Sequence, residues 1–139
     1  MNNILSVATV RLVHERAKYR CEYCHTAQNV IGQAIHIIRI YPDRDDHPDN
    51  LCLTCSACGM SKAAATSAPD PQTGTGVSLF HPRKQYWTVH FEWTDGGEHL
   101  SGKTPTGRAT IAKLRMNRER LVIARRVWIK AGVHPPKFD

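Results

Sequence analysis

Apolar residues recur at helical spacing early in the chain. Val7, Val10, Val13 (or His14) and Ala17 fall on one side, with Arg11, Glu15 and Lys18 toward water. That period predicts an amphipathic helix over Ser6–Tyr19. The pattern then changes. Val30, Ile31, Ile35, Ile37, Ile38 and Ile40 make Asn29–Ile40 a β-branched run, too short for a clear helix. It predicts a strand or tight hairpin interrupted at Gly32. Tyr41–Asn50 is a polar, Asp-rich loop with Pro42 and Pro48, and Leu51–Leu53 leads to a helix-forming stretch over Ser56–Ala65.

Ser67–Gly76 is turn-rich and marks a boundary between two halves. From Gln85 to Thr94, Tyr86, Thr88, His90 and Glu92 alternate with Trp87, Val89, Phe91 and Trp93. This is the period of a half-buried strand. Asp95-Gly96-Gly97 signals a hairpin, so a second strand should return up to Lys103. Thr104 or Thr106 caps a helix to about Arg115; Asn117 caps a longer one ending at Gly132, before Pro135 and Pro136. In that last helix Leu121, Ile123, Ala124, Val127, Trp128 and Ala131 share a side assigned to core. Arg118, Arg125, Arg126 and Lys130 fall on the other, which either grips phosphates or simply faces water. The elements predict an α+β fold.

Composition narrows the class. A chain of 139 residues, 41% hydrophobic and 22% charged, is the size and make-up of one globular domain. We expect residues 1–66 as its core and 67–139 as an extension packed on it. No apolar stretch approaches the roughly 20 residues of a membrane helix, and Met1–Val13, interrupted by Arg11, lacks a signal-peptide layout. A cytoplasmic protein with reduced thiols is expected. The net charge of +7 is uneven: residues 1–80 hold seven Lys/Arg and seven Asp/Glu, residues 81–139 hold twelve and five. A neutral part joined to a basic one suits a nucleic-acid binder, although a solvated basic surface gives the same count.

The cysteines carry the chemistry. Cys21/Cys24 and Cys55/Cys58 are two Cys-x-x-Cys pairs, the ligand set of a tetrahedral Zn²⁺, with a redox dithiol or disulfides as the alternatives. Cys52 has no two-spaced partner and reads as a small buried apolar side chain. Between the pairs lies His36. An imidazole held there can act as general base on water attacking a phosphodiester, with a divalent ion stabilising the leaving oxygen. Without context, a core histidine is the plainer reading. A loop amide such as Asn50 can orient the backbone or the ring.

The order Arg20-Cys21-Glu22-Tyr23-Cys24, Ile35-His36-Ile37-Ile38, Asn50 to Cys58, then Lys62 resembles the HNH endonuclease family. Leu79-Phe80-His81-Pro82-Arg83, Gly102 to Thr110 and Gly132 to Pro136 resemble the carboxy-terminal extension of its small stand-alone bacterial members. The resemblance implies a ββα-metal motif stapled by structural Zn²⁺ on the four cysteines. It implies His36 as general base, Asn50 as organiser of the loop, and Lys62 near a phosphate. It also implies a catalytic Mg²⁺ or Mn²⁺ and double-stranded DNA as partner. Arg39, Lys62, Arg108, Arg118, Arg125 and Arg126 are the candidate nucleic-acid contacts.

The departures bear on activity. Ile35 stands where the family places an acidic metal ligand, and Gly59 where it places Asn or His; neither side chain donates an electron pair. Arg39 replaces a proline, and Asp43–Asp49 a glycine-rich turn. Asp43, Asp45, Asp46, Asp49 and His47 either rebuild a metal site or form a solvated acidic loop. Two functions compete: metal-assisted DNA hydrolysis, or a degenerate relative acting as a nucleic-acid-binding or structural subunit. A zinc-stabilised protein-interaction module is the remaining alternative.

Overall fold

The computed structural model describes residues 4–32 and 35–137. The chain forms two compact units, Met1–Thr66 with His81–Lys84, and Ser67–Phe80 with Gln85–Asp139. Both combine helices with two-stranded antiparallel sheets, an α+β composition. No described helix is long and apolar enough to cross a membrane.

The first unit opens with α1 (Val7–Arg16), capped by the Ser6 hydroxyl, which accepts from the Thr9 N–H at 3.0 Å. Val13 is its buried residue. At its end Arg16 donates to the Pro48 and Leu51 carbonyls at 2.7 and 2.8 Å, tying the helix to the entrance of the next sheet. The expected strand at 29–31 is instead a single helical turn, α2 (Gln28–Ile31), stopped by Gly32 in the left-handed region at φ 65°. Gln33 and Ala34, also part of that expectation, lie outside the described residues. β1 (His36–Arg39) pairs antiparallel with β2 (Leu51–Thr54), setting His36 opposite Thr54 and Arg39 opposite Leu51. All four residues of β2 are buried. Cys55 then caps α3 (Ser56–Lys62), which ends at Ala63 rather than Ala65 because Ala63 leaves helical geometry at φ 48°.

In the second unit the turn-rich boundary is itself a hairpin of β3 (Ser67–Pro69) and β4 (Gly76–Ser78). Asp70 closes it, accepting from the Gln72 N–H at 3.0 Å and the Thr73 hydroxyl at 3.1 Å. The alternating segment 85–94 is not one strand. It begins with the helical turn α4 (Trp87–His90) and becomes extended only in β5 (Phe91–Thr94). The corner is fixed by packing: a Cβ on Gly107 would overlap the His90 carbonyl oxygen, which also accepts from the Lys103 N–H at 2.8 Å. β5 pairs with β6 (His99–Gly102) across the expected turn at 95–97. Thr104 caps α5 (Pro105–Leu114), its hydroxyl accepting from the Gly107 N–H at 3.0 Å.

α6 (Glu119–Lys130) corrects the predicted helix face. Its buried residues are Leu121, Val122 and Arg125, whereas Ile123 and Val127 are 49% and 62% exposed. Asn117 does not cap it. Its amide instead pairs with both backbone groups of Leu100, at 2.8 and 2.7 Å, extending the edge of β6.

Candidate metal centre

The first cysteine pair sits on a tight turn. The Cys21 N–H donates to the Thr26 carbonyl, and the His25 N–H returns to the Cys21 carbonyl, both at 2.9 Å. His25 takes φ 62° to close it. Glu22 locks this turn onto β2: its N–H donates to the Leu53 carbonyl at 2.8 Å and its carboxylate accepts from the Leu53 N–H at 2.9 Å. The other carboxylate oxygen of Glu22 accepts from Arg83. The second pair opens α3, where the Cys55 sulfur accepts from the Cys58 N–H at 3.5 Å.

These anchors bring all four sulfurs within 4.8 Å of one another, each on a buried residue. A tetrahedron with metal–sulfur bonds of roughly 2.3 Å has edges of about 3.8 Å, and Cys24 and Cys55 stand 3.8 Å apart. The donors fit a structural metal such as zinc. Without a cation the cluster is electrostatically conflicted. Burial of four sulfurs this close together opposes charge on all of them at once, and it pushes the Cys21 thiol well above its ordinary value. A divalent cation resolves this by stabilising all four as thiolates. Zinc bound here would join the first turn, β2 and α3. Cys52, buried on β2, is pushed up to about 12 by burial and is a packed thiol outside the cluster.

Beside the cluster, His36 is exposed, and its Nε2 lies 3.1 Å from the Ser56 hydroxyl at the start of α3. Asn50 is 6% exposed and spans the loop: its Oδ1 accepts from the Tyr41 N–H at 2.9 Å, and its Nδ2 donates to the Tyr41 and Asp45 carbonyls at 3.0 and 2.8 Å. The acidic loop is partly self-satisfied, with Asp46 paired to Arg39 at 2.7 Å and Asp45 accepting from the His47 N–H. Among the described residues, the four cysteines are the one group of three or more Cys, His, Asp or Glu side chains placed to share an ion.

The geometry revises which residues flank the space between hairpin and helix. Side chains alternate along a strand, so His36 and Ile38 share a face while Ile35 lies out of phase with them. A Cβ at Gly59 would stand 3.9 Å from the Ile38 Cγ2 and 2.9 Å from the Thr54 Oγ1. Ile38 and Thr54 are therefore the side chains that face Gly59 across the hairpin–helix contact. Thr54 is 1% exposed, and its hydroxyl finds no hydrogen-bond partner among the described residues. Neither Thr54 nor the anchoring role of Glu22 carries a signal in spacing or composition.

The candidate phosphate contacts fare differently. Lys62 is 1% exposed and donates to the Ile40 carbonyl at 2.8 Å, so it braces the hairpin rather than reaching a phosphate; burial lowers its pKa. Arg125 is fully buried and donates to the carbonyls of Glu98 and Met116 and to Asn117. Arg108 makes a two-pronged bond to buried Asp70 at 2.9 and 2.8 Å. Arg39 is paired with Asp46 and Arg126 with Glu98, and Arg118 donates to the Arg115 carbonyl. Exposed Lys113, Arg115 and Arg120, which spacing alone did not single out, join exposed Lys130 of the expected basic face in carrying much of the second unit's open positive charge.

Compared with known proteins, the chain matches no protein-family model, no curated protein and no solved structure.

Proposed function

We propose that this chain is a zinc-stapled, non-cleaving relative of the HNH nucleases that binds nucleic acid. One observation carries the reading. Between the β1–β2 hairpin and α3, where such a nuclease would hold its catalytic ion, the nearest oxygen to Gly59 is the single neutral hydroxyl of Thr54, and the other facing positions are Ile38 and Gly59. Neither offers an electron pair to a hard divalent ion, which needs oxygen ligands. The zinc-type cluster, the hairpin-then-helix order and the Asn50-braced loop support the scaffold half of the reading. The +7 charge, with Lys113, Arg115, Arg120 and Lys130 exposed, supports the nucleic-acid half.

The test is plasmid nicking by the purified chain across Mg²⁺ and Mn²⁺, beside a salt titration of DNA affinity. No cleavage, with affinity falling steeply with salt, is expected. Nicking that disappears in His36→Ala would overturn the reading in favour of an active nuclease, with His36 as base. A second arm rebuilds the ligands: Ile38→Asp with Gly59→Asn, in a Thr54→Ala background that clears the contact at 59, should confer tighter Mn²⁺ binding by calorimetry.

A further inference from the structure

The first unit carries an open groove of about 680 Å³ whose lining includes Lys18, Tyr19, Arg20, Gln28 and Asn29. This volume lies in the range of small-ligand sites. No Asp or Glu is among its described lining residues. Its chemistry is specific: two cations, one aromatic ring and two amides, the set that recognises a phosphate, a base face and a base edge respectively.

The groove is also built. Lys18 and Tyr19 are consecutive non-glycine residues in the left-handed region, at φ 54° and 56°. Such backbone costs of order 1–3 kcal/mol per residue and persists only where its surroundings enforce it. Here the Lys18 and Tyr19 N–H groups donate to the Glu15 and His14 carbonyls at 3.0 Å. The Tyr19 carbonyl accepts from the Gln28 N–H at 3.0 Å, and Arg20 bridges to Ala27. These bonds place residues 18–20 directly beside 27–29. The next residue, Cys21, belongs to the metal cluster, so the groove is held from the same turn as the metal. Tyr19 is 50% exposed, with its ring tilted against His14 at 5.6 Å between centroids.

We propose that this groove binds an unpaired nucleotide of a nucleic-acid strand, with Tyr19 under the base, Lys18 and Arg20 on the flanking phosphates, and Gln28 and Asn29 on the base edge. The inference rests on the nucleic-acid reading above and specifies its partner: single-stranded nucleic acid or an unpaired end, because a base inside a duplex cannot reach the ring. The groove is remote in sequence from the basic residues of α5 and α6, which allows the two to be tested apart.

The experiment is fluorescence anisotropy of a labelled 16-mer, single-stranded or as blunt duplex, with the zinc-loaded full chain. Unlabelled AMP serves as competitor. The single strand should bind more tightly than the duplex. Tyr19→Ala should weaken single-strand binding roughly five- to hundredfold, the scale of removing one base–aromatic stack, while Tyr19→Phe should retain it. Lys18→Gln with Arg20→Gln should lower the salt slope by about 0.7 for each phosphate no longer neutralised. Zinc content and melting temperature confirm that each variant is folded. If the strand binds but these variants leave affinity and slope unchanged while Lys113→Gln with Arg120→Gln weakens it, the groove proposal falls and the nucleic-acid reading stands. AMP binding as tightly as the strand would replace the strand with a free nucleotide and overturn the proposal. No binding by any probe at low salt would sink both.

Discussion

Arg125 offers the sharpest separation between a structural and a phosphate-binding role for the basic residues. Its guanidinium is fully buried, donates to Glu98, Asn117 and Met116 at 3.1, 3.1 and 2.7 Å, and lies 5.1 Å from the centroid of the Trp93 ring. Arg125→Met keeps the unbranched aliphatic volume, so cavity formation contributes little. What disappears is a set of hydrogen bonds from a charged donor, at about 1.5–3 kcal/mol each. They share one group and do not add fully. The expected destabilisation is therefore about 3–5 kcal/mol, comparable to stripping one partner from a buried charged pair. For a chain of this length that corresponds to a melting temperature lower by roughly 10–15 °C. The assay is urea and thermal unfolding followed by tryptophan fluorescence, since Trp87, Trp93 and Trp128 all lie in the second unit. A loss under about 1 kcal/mol, accompanied by weaker and less salt-dependent DNA binding, would refute the reasoning and return Arg125 to the surface.

Three further outcomes follow from the same geometry. Elemental analysis should find one zinc per chain, and Cys58→Ser should sharply reduce it and lower the midpoint of chelator-induced unfolding; full stability without metal would contradict the cluster's role. Gly59→Ala should be neutral or destabilising alone, because its Cβ meets the Thr54 hydroxyl oxygen at 2.9 Å. In a Thr54→Ala background the same change should stabilise by about 0.5–1 kcal/mol through helix propensity, so additivity in the double-mutant cycle would disprove the contact. Asp70 tests pH linkage: hydrogen bonds from Arg108 hold its carboxyl below the usual carboxylate range. Its contribution is complete above pH of about 4 and is lost as pH falls through the depressed value. Asp70→Asn should be the less stable protein at pH 7, with the gap closing in acid; a constant gap would remove the ion pair as the cause.

The cysteine cluster was legible because its ligands are chemically rare and their spacing is local, so four letters define a shared centre without knowledge of the path between them. The start of α1 and the turn at 95–97 were legible for a similar reason, each resting on a few neighbouring residues. The failures occur where a distant packing partner decides. α2 and α4 are single turns, too short to impose a period, and the alternation through 85–94 concealed a bend enforced by Gly107 about fifteen residues later. Periodicity also assigns every arginine and lysine to water. Lys62 and Arg125 break that rule because backbone carbonyls of Ile40, Glu98 and Met116 accept from them inside the fold, and carbonyls leave no trace in a sequence. The same blindness affects the candidate site. The resemblance marks Ile35 and Gly59 by their place along the chain, whereas the β1 side chain that packs against Gly59 is Ile38, a contact that no spacing announces. A ligand pair is a relation between elements, so its test belongs at the positions that meet in space.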